Sequence, residues 1–566
     1  MYCLPRAETE KFIGALRGGK IDPAALMDMS SAQRHTFFGD IIGPENALNV
    51  NALFESKLLL NNQQAGLVRW AKTIGGLNPV TKGDILSKIQ KLDKVLDAQS
   101  EKAFLEDLAS KRLGADVTFE EANTIVQLSK EAAEKKALIP DSSPRGSKER
   151  MDYGTRYILL QDYVNGLKNK AKALSLKEYI KSPTKWLEDL AGVTKSLVAS
   201  LDNSFVGRQG IKMLFTHPTI WAKTFVKTWG DIAKELVGVD AMLPIKADIV
   251  SRPNALNGKY AAGKYDLGVL SEEAFPSSLP ERVPILGRLY KASQSAFNGA
   301  ALRMRADYAD LIIKKAEEFG VDTLNKEQAL GLGKLVNSMT GRGNVPLTEG
   351  QGRFVNATVF SIRFLKSNID TLTAHMFDSS VSKFAKREAA LNLAKIIGGM
   401  AAVLWTAEQL HPGSVEWDPR SSDFGKIRIG DTRFDISGGM GSLVTLASRI
   451  VPTKHKGEWG FYSKSSTTGK VNRLNTDKYK ADTVMDVIDN FWQGKLSPLA
   501  GLLRDIWKGK DFQGEVPTVP SSIINLVTPI SVKTFQELQD NPRSADLLSS
   551  MILEALGIGV NTYSKK

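Results

Sequence analysis

The chain has 566 residues and a formal net charge of +13, from 75 lysines and arginines against 62 aspartates and glutamates. Hydrophobic residues make up 42% of it, enough for packed cores, which excludes a wholly disordered protein. The basic surplus indicates either contact with a polyanion, such as DNA, RNA or acidic lipid, or a role in solubility alone. Cys3 is the only cysteine, so the chain has no internal disulfide and no cysteine-based zinc site.

Residues 1–138 are predicted to form an N-terminal helical domain. Apolar residues recur at close to a 3.6-residue period between Ala47 and Trp70, and at three- and four-residue spacing in the charged stretch 82–138. Residues 139–150 (IPDSSPRGSKER) combine two prolines, a glycine and several serines, so they predict a linker.

Two further helical domains are predicted after the linker, at 151–284 and 285–410. The first contains a basic and aromatic helix, in which Trp221, Phe225 and Trp229 recur every four residues. Lys223 and Lys227 lie on a second stripe, rotated from the first by about 200°. This pattern is typical either of a core stripe with a solvated back or of a helix that faces phosphate or an anionic membrane. The residues predicted to contact a polyanion or membrane are Arg208, Lys212, Trp221, Lys223, Phe225, Lys227 and Trp229.

The most apolar stretch of the chain is 396–407 (IIGGMAAVLWTA). Lys395 and Glu408 bracket it, and a membrane-spanning helix needs about 20 apolar residues. We therefore predict a buried core helix here. A conditional membrane segment, with Lys395 reaching towards the lipid headgroups, is the alternative.

Residues 411–439 differ from the rest of the chain because they carry a β-strand pattern. Ile427 and Ile429 alternate with polar residues, and so does the run around Phe434, with Gly430-Asp431 between them as a hairpin turn. We predict a β-hairpin and polar loop region at 411–480 and a mixed helical region at 481–566. The predicted fold is mainly α, an elongated multi-helix architecture with a small β-hairpin near 425–437.

Motifs for catalysis or cofactor binding are weak in this sequence. The Walker A, HExxH and GxSxG patterns are absent, the five histidines are scattered, and no cofactor or metal is predicted. Gly341-Arg342-Gly343 resembles a fragment of a phosphate-binding turn, for which an ordinary loop is the favoured interpretation. A set of acids could bind a cation or act in acid–base catalysis, but turn formation and neighbouring arginines explain it better. These acids are Glu416, Asp418, Asp423, Asp431 and Asp435.

Several blocks in a shared order resemble the terminal regions of the large polyvalent proteins of bacteriophages and mobile elements. They cover about 45 to 510 of the chain. The blocks are 47–58, Arg208-Gln209-Gly210 with His217-Pro218 and Trp221, 300–305 (AALRMR), 337–343 (NSMTGRG), 360–363 (FSIR), 415–439, and 495–498 (KLSP). Such proteins resemble the internal virion, or DNA ejection, proteins of phages in role.

The resemblance implies a non-enzymatic virion protein inside the capsid or at the portal or tail, which is delivered into the host envelope or periplasm on infection. Its implied partners are further copies of itself, other virion proteins (portal, tail or ejection proteins), phage DNA and the host membrane. The chain starts with its own Met1 and lacks the upstream enzymatic modules of that family, so no catalytic residue is carried over. Two alternatives stay open: a hydrolase of cell wall or nucleic acid with its site at 416–435, and a cytoplasmic nucleic-acid-binding scaffold.

Overall fold

A computed structural model describes residues 5–73, 86–113, 116–172, 205–267, 286–346, 358–476 and 482–508, together with residue 355 and short stretches between 534 and 562. The chain is mainly α-helical with a few short antiparallel strand pairs, which confirms the predicted fold class. It divides into two compact units, Met1–Pro140 with Arg156–Ala173, and Asp141–Thr155 with Leu174–Lys566. One division falls at Pro140, within the predicted linker. The predicted boundaries at 284 and 480 lie outside the described residues.

The first unit consists of helices around small apolar cores. Two of its helices begin at capping boxes, in which Ser30 pairs with Gln33 and Thr118 with Glu121, so their first backbone N–H groups have acceptors. Phe38 is 1% exposed at the centre of one core. The helices are α1 (Arg6–Arg17), α2 (Pro23–Asp28), α3 (Ser31–Ile42), α4 (Pro44–Thr73), α5 (Ala98–Leu113), α6 (Phe119–Ala137) and the part of α7 (Lys148–Lys172) from residue 156 onward.

The second unit is built around one long helix, α13, whose small and apolar residues are buried on several sides. Tyr308, Ala309 and Ile312 are fully buried in its main core. The first turns of α7 also belong to this unit. Its other helices are α8 (Ile211–Thr216), α9 (Pro218–Leu236), α10 (Met242–Ser251), α11 (Pro253–Leu256), α12 (Lys259–Gly263), α13 (Leu286–Glu318), α14 (Lys326–Met339), α15 (Ile362–Leu372), α16 (Lys383–Leu410), α17 (Met440–Ile450), α18 (Val484–Gln493) and α19 (Pro498–Lys508).

The predicted hairpin is present as strands β1 (Lys426–Ile429) and β2 (Thr432–Asp435), joined at Gly430-Asp431. Ile427 faces Phe434 in the register, and Gly430 has a φ of 60°, which glycine adopts without a steric penalty. A strand from the C-terminal end of the chain, Gly559–Thr562, joins β2 on its other side. The hairpin prediction is confirmed, and the sheet has this additional third strand.

Two short hairpins follow α17 in the region that was predicted as a polar loop. Strands β3 (Thr453–His455) and β4 (Glu458–Gly460) form one pair, and β5 (Tyr462–Lys464) and β6 (Val471–Arg473) form the other. The strand at Gly559–Thr562 is β7 in chain order.

Candidate functional site

The basic and aromatic segment predicted as a contact surface forms α8 and α9, preceded by a π-helical turn at Phe205–Gln209. His217 separates the two helices. Pro218 then occupies the first position of α9, where its missing N–H and its fixed φ suit a helix start. The segment is thus a broken helix, and its two halves have different environments.

The aromatic stripe of α9 is present as predicted. Trp221 and Phe225 stack with ring centroids 5.3 Å apart, and Trp229 lies edge-on to Phe225 at 6.2 Å. The indole N–H of Trp221 donates to the carbonyl oxygen of Val206 at 2.8 Å. Trp221 and Phe225 are half-buried against the main core, whereas Trp229 is 46% exposed. The stripe therefore runs from the core out to the surface.

The exposed side of α9 combines cations with apolar residues. Lys223 and Lys227 are exposed, as the predicted surface contact requires, and Val226 between them is 69% exposed. Together with Trp229 they form a mixed basic and apolar surface, which suits an anionic, partly apolar partner. The contact itself stays a prediction.

The fully buried side of α9 is polar, which the sequence analysis did not predict. Asp231 is 2% exposed and pairs with Arg303 of α13, whose Nη2 lies 2.8 Å from Asp231 Oδ1. Glu235 accepts hydrogen bonds from Ser295 Oγ and from the backbone N–H of Ala241, each at 2.9 Å. Buried carboxylates are tolerated because each has a charged or hydrogen-bonding partner. The core-stripe interpretation of α9 therefore holds only in part.

Lys212 does not lie on a surface, so the prediction that it contacts a polyanion or membrane is wrong. The side chain is fully buried. Its Nζ donates to the carbonyl oxygen of Ser338 at 2.9 Å and to the hydroxyls of Ser367 and Thr371 at 3.1 Å. Burial lowers the pKa of Lys212 to about 7, and the charge of Asp370 opposes that shift.

Arg208 is half-buried and also differs from the open surface residue that was predicted. Its carbonyl oxygen lies against Gly438, because a Cβ atom built on that glycine would lie only 2.7 Å from it. The backbone of the π-helical turn is therefore packed tightly against the segment after β2. Of the seven predicted contact residues, the exposed ones are Lys223, Lys227 and Trp229.

The largest departure from the sequence analysis is α16, which contains the apolar stretch 396–407. Ile396 and Leu404 are buried on one side. The rest of the helix is open: only 22% of its most apolar 18-residue window is buried. The prediction of a buried core helix is therefore wrong for most of α16. Its exposed large apolar side chains are Leu391, Ile397, Val403, Trp405 and Leu410, which are 42–71% exposed.

By length and composition α16 is the kind of helix that can cross a membrane, although one such helix is weak evidence by itself. Lys395 is exposed among its apolar residues, and Lys383 and Arg387 are exposed near its N-terminal end. Long cationic side chains at such positions reach lipid headgroups while their stems cover apolar surface. The exposed face of α16 is therefore apolar with cations along it.

Three of the five acids of the 416–435 segment are held in ion pairs. Glu416 pairs with Lys464 at 2.7 Å and Asp418 with Arg420 at 2.8 Å. Asp423 pairs with Lys426 and with Arg433, each at 3.1 Å. Within the part of the chain that the structure describes, no group of three or more His, Cys, Asp or Glu residues could hold a metal ion. These pairings support the structural interpretation of the segment.

Comparisons with protein-family models, with curated proteins and with solved structures found no match for the chain. Its function is therefore argued from the surfaces of the molecule itself. The exposed face of α16 differs from the surface of an ordinary globular protein in its number of large apolar side chains.

Proposed function

We propose that the chain is a non-enzymatic structural protein of a bacteriophage particle, an internal or ejection protein that assists genome delivery through the host envelope. One observation carries the structural part of this proposal, namely the exposed apolar face of α16 with cations along it. Contiguous exposed apolar patches of more than a few hundred Å² are uncommon on monomeric soluble proteins and mark contact sites. The sequence blocks that resemble phage large polyvalent proteins supply the biological setting.

An anionic membrane is the partner whose chemistry best matches the exposed face of α16. Ile397 and Trp405 would enter the apolar boundary of the bilayer, and Lys395 would reach its negative headgroups. The mixed surface of α9, with Lys223, Lys227 and Trp229, has the same combination of chemistry. The hydrolase alternative lacks comparable support, since Glu416, Asp418 and Asp423 of its candidate site are held in ion pairs.

Flotation of the full chain with vesicles of phosphatidylethanolamine and phosphatidylglycerol tests the membrane contact. We expect the wild-type chain to float with these vesicles and the double variant Ile397→Ser, Trp405→Ser to bind at least about tenfold more weakly, because two large apolar side chains are lost from the contact. The matched control is Val451→Ser, Trp459→Ser, which removes similar side chains that are 54% and 68% exposed in another part of the second unit.

Two results would contradict the proposed contact. One is a wild-type chain that stays in solution while the vesicles float. The other is an equal loss of binding in the two double variants. Self-association of the chain that the α16 variant abolishes, without vesicle binding, would assign the face to a homo-oligomer instead.

A further inference from the structure

A polar cleft of about 350 Å³ opens in the second unit between the C-terminal end of α14, the residues after α12 and the start of α15. Its lining contains four cationic side chains, Lys264, Lys334, Arg342 and Arg363, against the single carboxylate of Asp266. Among the lining residues that the structure describes, four positive charges less one negative charge leave a surplus of three. A cleft with this charge attracts anions.

Ion pairs hold three of the four cationic side chains that line the cleft. Asp266 Oδ2 lies 2.6 Å from Arg342 Nε and 3.6 Å from Arg363 Nη1, so two guanidinium groups share one carboxylate. Lys334 pairs at 2.7 Å with Asp378, a residue outside the cleft lining. Lys264 is exposed and makes no ion pair with any residue that the structure describes.

Hydrogen bonds of Arg305 and Asn337 hold the walls of the cleft in place. The buried guanidinium of Arg305 donates to the carbonyl oxygen of Asp266 at 2.6 Å and to the hydroxyl of Thr340 at 2.9 Å, which joins two of the walls. The amide of Asn337 donates to the carbonyl oxygen of Lys264 at 3.1 Å and accepts from the backbone N–H of Asp266 at 3.0 Å. The cationic groups are therefore carried on a preorganised frame, which lowers the cost of ordering them around a ligand.

The turn that carries Arg342 depends on its glycines. Gly341 has a φ of 84°, which side-chain-bearing residues rarely adopt. A Cβ atom on Gly343 would lie 2.5 Å from the backbone nitrogen of Ser367, so this glycine allows the turn to lie against α15. The Gly341-Arg342-Gly343 sequence thus brings Arg342 to the cleft, where Arg363 of α15 also lies.

We propose that this cleft binds a phosphate-bearing ligand. Guanidinium groups match the geometry of phosphate oxygens, and lysine ammonium groups add point charges to the same anion. The volume lies at the lower end of the range for small-molecule sites, so it accommodates a phosphate with part of the molecule that carries it. The phosphate comes either from a free small molecule or from a nucleic-acid backbone, and the test below separates these two sources.

Binding to the full chain is measured with two probes, inorganic pyrophosphate by titration calorimetry and a labelled single-stranded DNA by fluorescence anisotropy. The cleft variant is Lys264→Gln, Arg363→Gln, and the matched control is Lys314→Gln, Lys326→Gln, which removes two positive charges from exposed positions outside the cleft. We expect the cleft variant to bind at least about tenfold more weakly, because it loses charged hydrogen bonds to phosphate, and the control to bind like wild type.

Weakened pyrophosphate binding identifies a site for free phosphates, and weakened DNA binding alone identifies the nucleic-acid backbone as the source. The proposal is overturned if the wild-type chain binds neither probe, or if the cleft and control variants lose affinity equally. Thermal melting shows whether the double variant is folded. If the double variant is unfolded, the same two binding measurements are made on the single variant Lys264→Gln, whose altered side chain is exposed.

Discussion

The ammonium group of Lys212 is buried where α8 meets α14 and α15, with three oxygen acceptors around it. Two of these acceptors also donate hydrogen bonds of their own. Ser367 Oγ donates to the carbonyl oxygen of Phe364, and Thr371 Oγ1 donates to the carbonyl oxygen of Ser367. Each N–H of the ammonium group therefore has an acceptor, but the charge is still removed from water. A buried amine in this setting favours its neutral form.

We expect Lys212→Met to remove part of the alkaline pH dependence of stability. Burial holds the folded-state pKa of Lys212 at about 7, whereas the unfolded lysine keeps the ordinary value of 10.5. Between these values the unfolded state binds more protons than the folded state. The free energy of unfolding therefore rises as the pH rises through this window and falls as the pH drops towards 7. Methionine does not titrate, so this rise is smaller in the variant.

Urea unfolding of the wild type and the variant at pH 7 and at about pH 10 measures the effect. Lys223→Met is the matched control because Lys223 is exposed on α9, and it should keep the wild-type change between the two pH values. If Lys212→Met gave the same rise in the free energy of unfolding as wild type, Lys212 would not carry the titration assigned to it.

Arg145 illustrates what the sequence alone could not show about a residue. It lies in the predicted linker, whose composition indicates only a flexible connection. In the structure its guanidinium pairs with Asp248 at 2.7 Å and with Asp307 at 2.8 Å. Arg252, which is 1% exposed, pairs with both of these carboxylates and with Asp310. These contacts join residues that are distant in sequence, so the composition of the linker alone does not predict them.

At the scale of elements, helix α14 lies unusually close to the end of α12. A Cβ atom on Gly333 would lie 1.7 Å from the carbonyl oxygen of Gly263. This close approach positions Lys264 and Asn337 beside each other, and so it shapes the cleft that both residues line. The absence of a Cβ atom at Gly333 thus allows this distance between the elements.

We expect Gly333→Ala to lower the free energy of unfolding by about 2 kcal/mol or more, because the added methyl group must displace backbone. Gly398→Ala on α16 is the matched control. Nothing lies within 4 Å of a Cβ atom at Gly398, so alanine there gains only helix propensity, up to about 1 kcal/mol. Chemical denaturation of both variants makes the comparison, and an equally tolerated Gly333→Ala would refute the close approach.

The elements that follow from local sequence were predicted well. The β1–β2 hairpin depends on alternating side chains and a two-residue turn, all within ten residues. The pairing of β2 with β7 was not predicted, because it joins Phe434 to Val560 across more than a hundred residues. The aromatic stripe of α9 follows from its spacing, as predicted.

The burial of α9 and α16 was predicted less well, and the reason is the same for both helices. Periodicity assumes that the apolar side of a helix is the buried one. On α9, Arg303 and Ser295 of α13 supply the partners that allow Asp231 and Glu235 to be buried. On α16 the apolar residues outnumber those that one packed face can cover, so Trp405 remains 61% exposed. Which side a neighbour covers is decided by tertiary contacts.

At the scale of the whole molecule, positive charge and exposed apolar side chains occur together. The chain has a surplus of 13 positive charges, with exposed cations on α9, on α16 and in the cleft after α12. In the proposed account, the exposed face of α16 contacts the membrane and the cleft binds phosphate. Head-to-tail contacts that close give rings or tubes, so we predict this form for an assembly of several copies.

Quantitative mass spectrometry of purified phage particles, before and after triggered genome release, tests the central claim most directly. The account predicts multiple copies of the chain in intact particles and their loss from particles that have released their DNA. Capsid proteins, which stay in the emptied particles, serve as the internal reference. Absence of the chain from intact particles, or full retention after genome release, would contradict an ejected virion protein.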